Sequence, residues 1–330
     1  MFITKKISLV LLGLMGVIMS EAEAAKGPEP TFSDVRYGKY DRNFMDVWLA
    51  KSDKPTPCVV IIHGGGWLGG DKSKARGPVK KYLKAGISVV AVNYRYLKQT
   101  IIDTKSSRGN GAIQKRGDYP EPPVKVPLYD AARALQFVRY KAKEWNIDPK
   151  RIGLTGGSAG ACTSLWLAFH DDLADPKSDD PVKRQSTKPF TAAPQVPQTS
   201  LDPKQILEWT PNGTYGGHAF GFVWDKSDPT VEIRSFLADR KAMMPWIKEY
   251  SPYELVTKDD PPVYLYYPND APEKGANKKD STHTANYGAM LAEKLDRVGV
   301  EYEFVHKGSK NPKHKNIEAY LIDKLKEEKK

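Results

Sequence analysis

Cysteine is almost absent: Cys58 and Cys162 are the only two in 330 residues, so a disulfide-stapled scaffold is excluded. Long apolar runs are missing as well. The longest, Ile7–Met19, is thirteen residues, short of the ~20 that a spanning helix needs, and this excludes a multi-pass membrane protein. No His, Cys and carboxylate cluster has metal-ligand spacing, and neither glycine-rich loop carries a Walker Lys-Ser/Thr pair, so no metal or organic cofactor is implied. Acidic residues are the minority. With 51 basic against 40 acidic residues the net charge is +11, but the lysines are scattered, with no basic helix or interleaved aromatic and basic motif, so a nucleic-acid partner is not expected.

Hydrophobic residues make up 40% and charged residues 28%, enough for a sizeable core. Residues 1–24 read as an export signal, with Lys5 and Lys6, the run Ile7–Met19, then Ala22-Glu23-Ala24 and cleavage after Ala24; an uncleaved anchor is the rival. Removing them deletes two lysines and two glutamates, so the charge of +11 belongs to the mature chain. Residues 25–330 are expected to form a single domain in the periplasm or outside the cell, without stable membrane insertion.

A β-hairpin is expected over Asp34–Ala50 around the turn Asp41-Arg42-Asn43. Beyond it, Val59–Ile62 and Ile87–Val92 are continuous apolar runs suited to parallel strands buried on both faces, with a helical stretch Val79–Ala85 between them. The alternation continues through a helix Tyr129–Trp145, a strand Arg151–Thr155 and a helix Cys162–His170. Later strands are expected at Thr191–Val196, Val263–Tyr267 and Tyr302–Val305, and helices at Asn286–Val298 and Ile317–Lys326. Two excursions, 99–126 and 178–260, carry loop chemistry; the second is aromatic-rich, and either covers a pocket or packs as a small core of its own. Cys58 and Cys162 fall at opposite ends of the sheet, roughly 15–20 Å apart against a disulfide limit of ~7 Å, so both are expected to be core residues. Asn212-Gly-Thr214 matches a glycosylation acceptor with nothing else in support.

The chemistry concentrates in two glycine-rich segments. Gly156-Gly157-Ser158-Ala159-Gly160 follows a strand and opens an apolar helix, the context of a nucleophile elbow. There a serine hydroxyl projects from the sheet, and the Ala159 amide at the helix start is available to an oxyanion. Ninety-five residues before Ser158, His63-Gly64-Gly65-Gly66-Trp67 follows another buried strand, and the Gly65 and Gly66 amides can join that of Ala159.

With Asn93-Tyr-Arg-Tyr96, Asp130-Ala-Ala-Arg-Ala-Leu and Asn146-Ile-Asp-Pro-Lys-Arg-Ile152, these segments resemble α/β-hydrolases of the carboxylesterase and hormone-sensitive-lipase-like type, densely over residues 45–170. The resemblance implies an α/β fold with a mostly parallel eight-stranded sheet flanked by helices, cap or lid insertions, and a triad in the order Ser, Asp, His acting on esters. It puts the base in the loop before the last helix, where His314 fits best and His306 is the runner-up. It puts the acid after the penultimate strand, where Asp270 is nearest. The usual Gly-x-x-Asp-x-x-Val-Pro text is missing there, so Asp280 stays open, with Asp259 and Asp260 weaker. His63 is expected to brace the glycine loop, His170 and His218 to be surface or cap residues, and His283 either to line the site or to be exposed. Export directs the expectation to small or polysaccharide-linked acetyl or aromatic esters. A serine peptidase and a non-catalytic binding protein on the same scaffold are the alternatives.

Overall fold

Residues whose side chains are apolar without alternation have nowhere to go but between two layers, and β3 (Thr56–Ile62) and β4 (Ser88–Val92) are buried along their whole length. In the computed structural model, which describes residues 27–97, 119–222, 228 and 230–327, they lie at the centre of an eight-stranded sheet. Its order is β1-β2-β4-β3-β5-β6-β7-β8, with β1 (Phe32–Arg36), β2 (Phe44–Trp48), β5 (Ile147–Gly157), β6 (Thr191–Gln195), β7 (Val263–Tyr267) and β8 (Tyr302–His306). The short β1–β2 hairpin makes the first two pairings antiparallel; helical crossovers make the others parallel. The α/β-hydrolase expectation holds.

Of the helices α1 (Arg76–Lys84), α2 (Lys125–Tyr140), α3 (Ala159–Phe169), α4 (Pro203–Trp209), α5 (Thr230–Ala238), α6 (Arg240–Tyr250), α7 (Pro252–Leu255), α8 (Ala285–Val298) and α9 (Ile317–Lys326), α1, α2, α3, α8 and α9 lie on the sheet, and α4–α7 pack chiefly on other helices. Two apolar clusters result, one with α1 and α9 and a larger one with α2, α3 and α8. Cys58 and Cys162 are free and buried, as expected, and burial pushes both thiols up. Asp130 of α2 is buried and takes hydrogen bonds from Arg95 and Asn43, which fastens the hairpin to the helix.

Three boundaries differ from expectation. α2 starts four residues earlier, because Pro127 in its first turn lacks only an amide that had no intrahelical acceptor. It stops at Tyr140, and Lys141–Trp145 turns towards Asn146, whose φ of 52° is left-handed. The excursion 178–260 carries the helices α4–α7: buried Ile233 and Phe236 on α5, and Met243, Ile247 and Tyr250 on α6, recur at helical spacing, with Pro245 inside α6. Phe236 packs edge-on to Phe220 and tilted on Phe222, centroids 5.2 and 5.0 Å apart, so these aromatics build local packing. The expected leader and most of the 99–126 excursion lie outside the described residues. Among the described residues no helix is long and apolar enough to cross a membrane, and no group of three or more His, Cys, Asp or Glu is placed to hold a metal ion.

Candidate active site

β5 ends at Gly157 and α3 begins at Ala159, so Ser158 has to reverse the chain alone, with φ 53° and ψ −121°. A non-glycine residue in such backbone carries about 1–3 kcal/mol of strain, sustained only where the surroundings over-determine it. They do. A side chain on Gly156 or Gly160 would come within 2.3 or 2.1 Å of the Ile62 carbonyl, so only glycine lets strand and helix close on β3. The Ser158 amide donates to the Gln195 carbonyl (3.1 Å) and its carbonyl accepts from Cys162, the first bond of α3. The Ala159 amide, one residue into the helix, has no intrahelical acceptor.

The loop after β3 lies against this elbow. A β-carbon on Gly64 would sit 2.6 Å from the Gly157 carbonyl oxygen and 3.4 Å from Cβ of Ser158, and Gly65 and Gly66 take φ of 110° and 60°. The Gly65 carbonyl turns back to accept from the Leu68 and Gly69 amides. His63 braces the loop as expected: Nδ1 donates to the Gly64 carbonyl (2.8 Å), and the ring stacks on Tyr94, whose hydroxyl donates to the His63 carbonyl. Desolvation holds its pKa below the ordinary 6.5. Trp67 Nε1 donates to Thr163 Oγ1 (3.0 Å), which ties the loop to α3.

The histidine that meets Ser158 is His283. Its Nε2 lies 2.9 Å from Ser158 Oγ, and its Nδ1 lies 2.9 Å from Asp280 Oδ2. A carboxylate can only accept, so Nδ1 carries the proton and Nε2 presents its lone pair to the serine hydroxyl. The other oxygen of Asp280 accepts from the Thr282 and His283 amides (3.2 Å each), so one side chain both closes the turn and orients the ring. The Pro268–Thr284 segment, lysine-rich in sequence, is firmly held. Asn286 accepts from the Glu273 amide and donates to the Trp209 and Glu273 carbonyls, Asn212 and Lys278 exchange two bonds, and Gln198 donates to the Thr282 carbonyl. Asn212, the glycosylation match, is thereby committed at both ends of its amide.

His314 and Asp270, expected as base and acid, make their contacts elsewhere. His314 does not reach Ser158: Nδ1 is 2.7 Å from Glu303 and Nε2 3.0 Å from Asp323, so both ring nitrogens are taken by carboxylates, and its carbonyl accepts from Tyr264. Asp270 accepts from Thr284 Oγ1 (2.7 Å) and the Ala285 amide (2.9 Å), which makes it an anchor for the start of α8, directly after His283. His306, at the end of β8, accepts from the Gly308 amide. Asp260 pairs with Lys188, and Asp259 is exposed beside Lys258. His170 caps the C-terminal end of α3, as expected, and pairs with Glu249. His218, expected to be a surface or cap residue, is buried against Glu232. The signal that could have found this partner of Ser158 is the Asp280-Ser-Thr-His283 spacing just ahead of a Thr284 helix cap: three residues let an aspartate bond both its turn and the imidazole.

A cavity of about 600 Å³ opens beside Ser158, bounded by the glycine loop, Pro78 and Tyr82 of α1, Val196, and Ile317 and Glu318 of α9. Its lining mixes apolar side chains with Lys74, Thr155, Gln195 and Glu318.

A family model described as BD-FAE matches residues 45–113 and 123–272, more than half of the chain, and ends before Asp280 and His283. Among curated proteins, the probable carboxylic ester hydrolase LipM of Mycobacterium tuberculosis is 26% identical over 243 residues, 71% of this chain and 46% of its own. Acetylcholinesterase of Gallus gallus is 32% identical over 142 residues, 43% of this chain and 16% of its own. The chain thus spans less than half the length of these relatives. An acetyl ester-xyloside bifunctional hydrolase from Caldicellulosiruptor lactoaceticus superposes with TM-score 0.57 at 23% identity, covering 85% of this chain and 86% of that one. A truncated carbohydrate esterase from gut microbiota gives 0.56 at 20%, covering 85% and 90%. The strand order, the elbow on β5 and the family match converge on one statement: the chain belongs to the BD-FAE family.

Proposed function

We propose that the protein is an exported serine carboxylic-ester hydrolase in which Ser158 is the nucleophile, His283 the general base and Asp280 the acid that orients it. The observation that carries this reading is the 2.9 Å contact from His283 Nε2 to Ser158 Oγ, with Nδ1 fixed by Asp280. A serine hydroxyl is a weak nucleophile until a base takes its proton, and the base must be held in the right tautomer. Here Ser158 Oγ attacks the ester carbonyl while its proton moves to His283 Nε2. The amides of Gly65, Gly66 and Ala159 receive the charge that develops on the carbonyl oxygen. His283 then gives the proton to the departing alkoxide as the carbon–oxygen bond breaks, leaving an acyl-serine. Water, deprotonated by the same nitrogen, attacks that acyl carbon, and the carboxylic acid leaves as Ser158 is reprotonated.

The substrate class we favour is an acetyl or aromatic acyl ester of a carbohydrate. The names of the structural neighbours, an acetyl ester-xyloside hydrolase and a carbohydrate esterase, support this, as does the leader-like text of residues 1–24. The mature chain should hydrolyse p-nitrophenyl acetate and lose that activity in Ser158→Ala and His283→Ala, and a fluorophosphonate should label Ser158. A folded protein that neither turns over the ester nor takes the label would overturn the reading. Fractionation and N-terminal sequencing of the expressed full chain test export, with a new N-terminus at Ala25 expected; recovery of uncleaved protein in the cytoplasm would contradict it.

A further inference from the structure

His218 lies beside the glycine loop yet has no part in the relay just described. It sits in the short 3₁₀ turn Gly217–Phe220 and is 8% exposed, and its partner Glu232 on α5 is 2% exposed. Glu232 Oε1 accepts from the His218 backbone amide (2.8 Å) and from Nδ1 of its ring (3.1 Å). The fit leaves no slack, since a β-carbon on Gly217 would meet Glu232 Cγ at 2.7 Å. Tyr215 stands edge-on at 4.8 Å between centroids and Trp67 at 6.0 Å, so the ring is walled on two sides.

This clamp sets the chemistry of the other nitrogen. Nδ1 carries the proton that Glu232 accepts, so in the neutral ring Nε2 is an acceptor. It is buried and, among the described residues, has no hydrogen-bond partner. Its direction is given by Gly66: a β-carbon built there would find Nε2 at 3.8 Å and no other atom within 4 Å. A buried acceptor without a donor costs free energy, and a buried carboxylate that holds it in one orientation adds to that cost. Such arrangements persist where they serve a ligand.

We propose that His218 is a specificity-determining residue whose Nε2 accepts a hydrogen bond from a hydroxyl group next to the reacting ester. The hydroxyl belongs to a polyol alcohol such as a sugar, or to a hydroxylated acyl group; the shared chemistry is an O–H donor within reach of Gly66. The inference deepens the ester-hydrolase reading and rests on it.

The test uses two pairs of esters matched in shape: 2-hydroxyethyl acetate against propyl acetate places the hydroxyl on the alcohol, and ethyl lactate against ethyl isobutyrate places it on the acyl group. Each kcat/KM is normalised to the rate of hydroxide hydrolysis. The wild type should prefer the hydroxylated member of one pair by about tenfold, the usual worth of one neutral hydrogen bond. His218→Phe should abolish that preference, His218→Gln, which keeps an acceptor, should retain part of it, and Glu232→Gln should reduce it by releasing the tautomer. If the phenylalanine variant does not fold, the glutamine variants decide. A wild type without preference in either pair, or a preference that survives undiminished in His218→Phe or, where that variant does not fold, undiminished in both His218→Gln and Glu232→Gln, would overturn the inference. Absence of Ser158-dependent turnover on p-nitrophenyl acetate would instead overturn the underlying assignment, and this inference with it.

Discussion

Two loops of this molecule carry the same arrangement, an imidazole with a carboxylate on Nδ1, and use it for different ends. In the β7–α8 crossover His283 pairs with Asp280; between β8 and α9 His314 pairs with Glu303. The second nitrogen separates them. His283 turns Nε2 to a serine hydroxyl and is 29% exposed, whereas His314 turns it to a second carboxylate, Asp323, and is 9% exposed. A carboxylate on one nitrogen makes an imidazole a better proton acceptor at the other, but only a reacting group on that other nitrogen makes it a base. With both nitrogens bonded, His314 is a bolt between β8 and α9.

The contrast can be broken by substitution, and the largest effect should come at Ser158 and His283. Replacing either by alanine should lower kcat by about 10⁴-fold or more, the range for loss of a triad member, read with p-nitrophenyl acetate at unchanged melting temperature. Asp280→Asn should cost about a hundredfold or more, because the amide can donate to Nδ1 and so favours the wrong tautomer; the half-exposed position of Asp280 lets water replace part of the lost orientation. His314→Ala should do the reverse, leaving turnover close to wild type and lowering stability by about 1–3 kcal/mol in urea unfolding, because Glu303 loses a partner it holds at 2.7 Å. Asp270→Ala should fall between the two. It removes the anchor at the start of α8, about 1 kcal/mol of stability, and shifts His283 enough to lower kcat by about tenfold.

The smallest effect is a pH dependence in the glycine loop. Burial lowers the pKa of His63 below 6.5, so the folded state takes up its proton less readily than the unfolded chain. The stability it supports is full above the unfolded value of 6.5 and is lost as the pH falls from there towards the folded value. Unfolding curves between neutral pH and pH 5 should therefore show a slope that His63→Gln flattens; an equal slope in both proteins would remove His63 as its source.

The sheet and the Ser158 turn were legible because each rests on local text. Unbroken apolar runs have one place in a layered fold, and Gly-x-Ser-x-Gly between a strand and a helix has one geometry. Strands at Val263–Tyr267 and Tyr302–His306 and the helix at Ile317–Lys326 fell at or within one residue of expectation for the same reason. The partners of Ser158 were not legible, because which histidine and aspartate meet it depends on how two polar loops of similar composition close on a hydroxyl far away in sequence. The sequence leaves Asp280 open beside Asp270 and puts His283 near the start of a helix, yet the resemblance favours the loop before the last helix. The pull came from His314 sitting at the expected place in chain order, where local bonds to Glu303 and Asp323 hold it away. The helices of the 178–260 excursion were obscured in another way, since Pro245 and the mixture of aromatic and charged residues broke the periodic signal that burial at Phe236, Met243 and Ile247 satisfies.

The most direct test is to assay His283→Ala and His314→Ala side by side on p-nitrophenyl acetate, with circular dichroism to establish folding. The account predicts that His283→Ala is folded and nearly inactive while His314→Ala, where folded, keeps its turnover. Activity retained in His283→Ala and abolished in a folded His314→Ala would contradict it and return the base to the loop before the last helix.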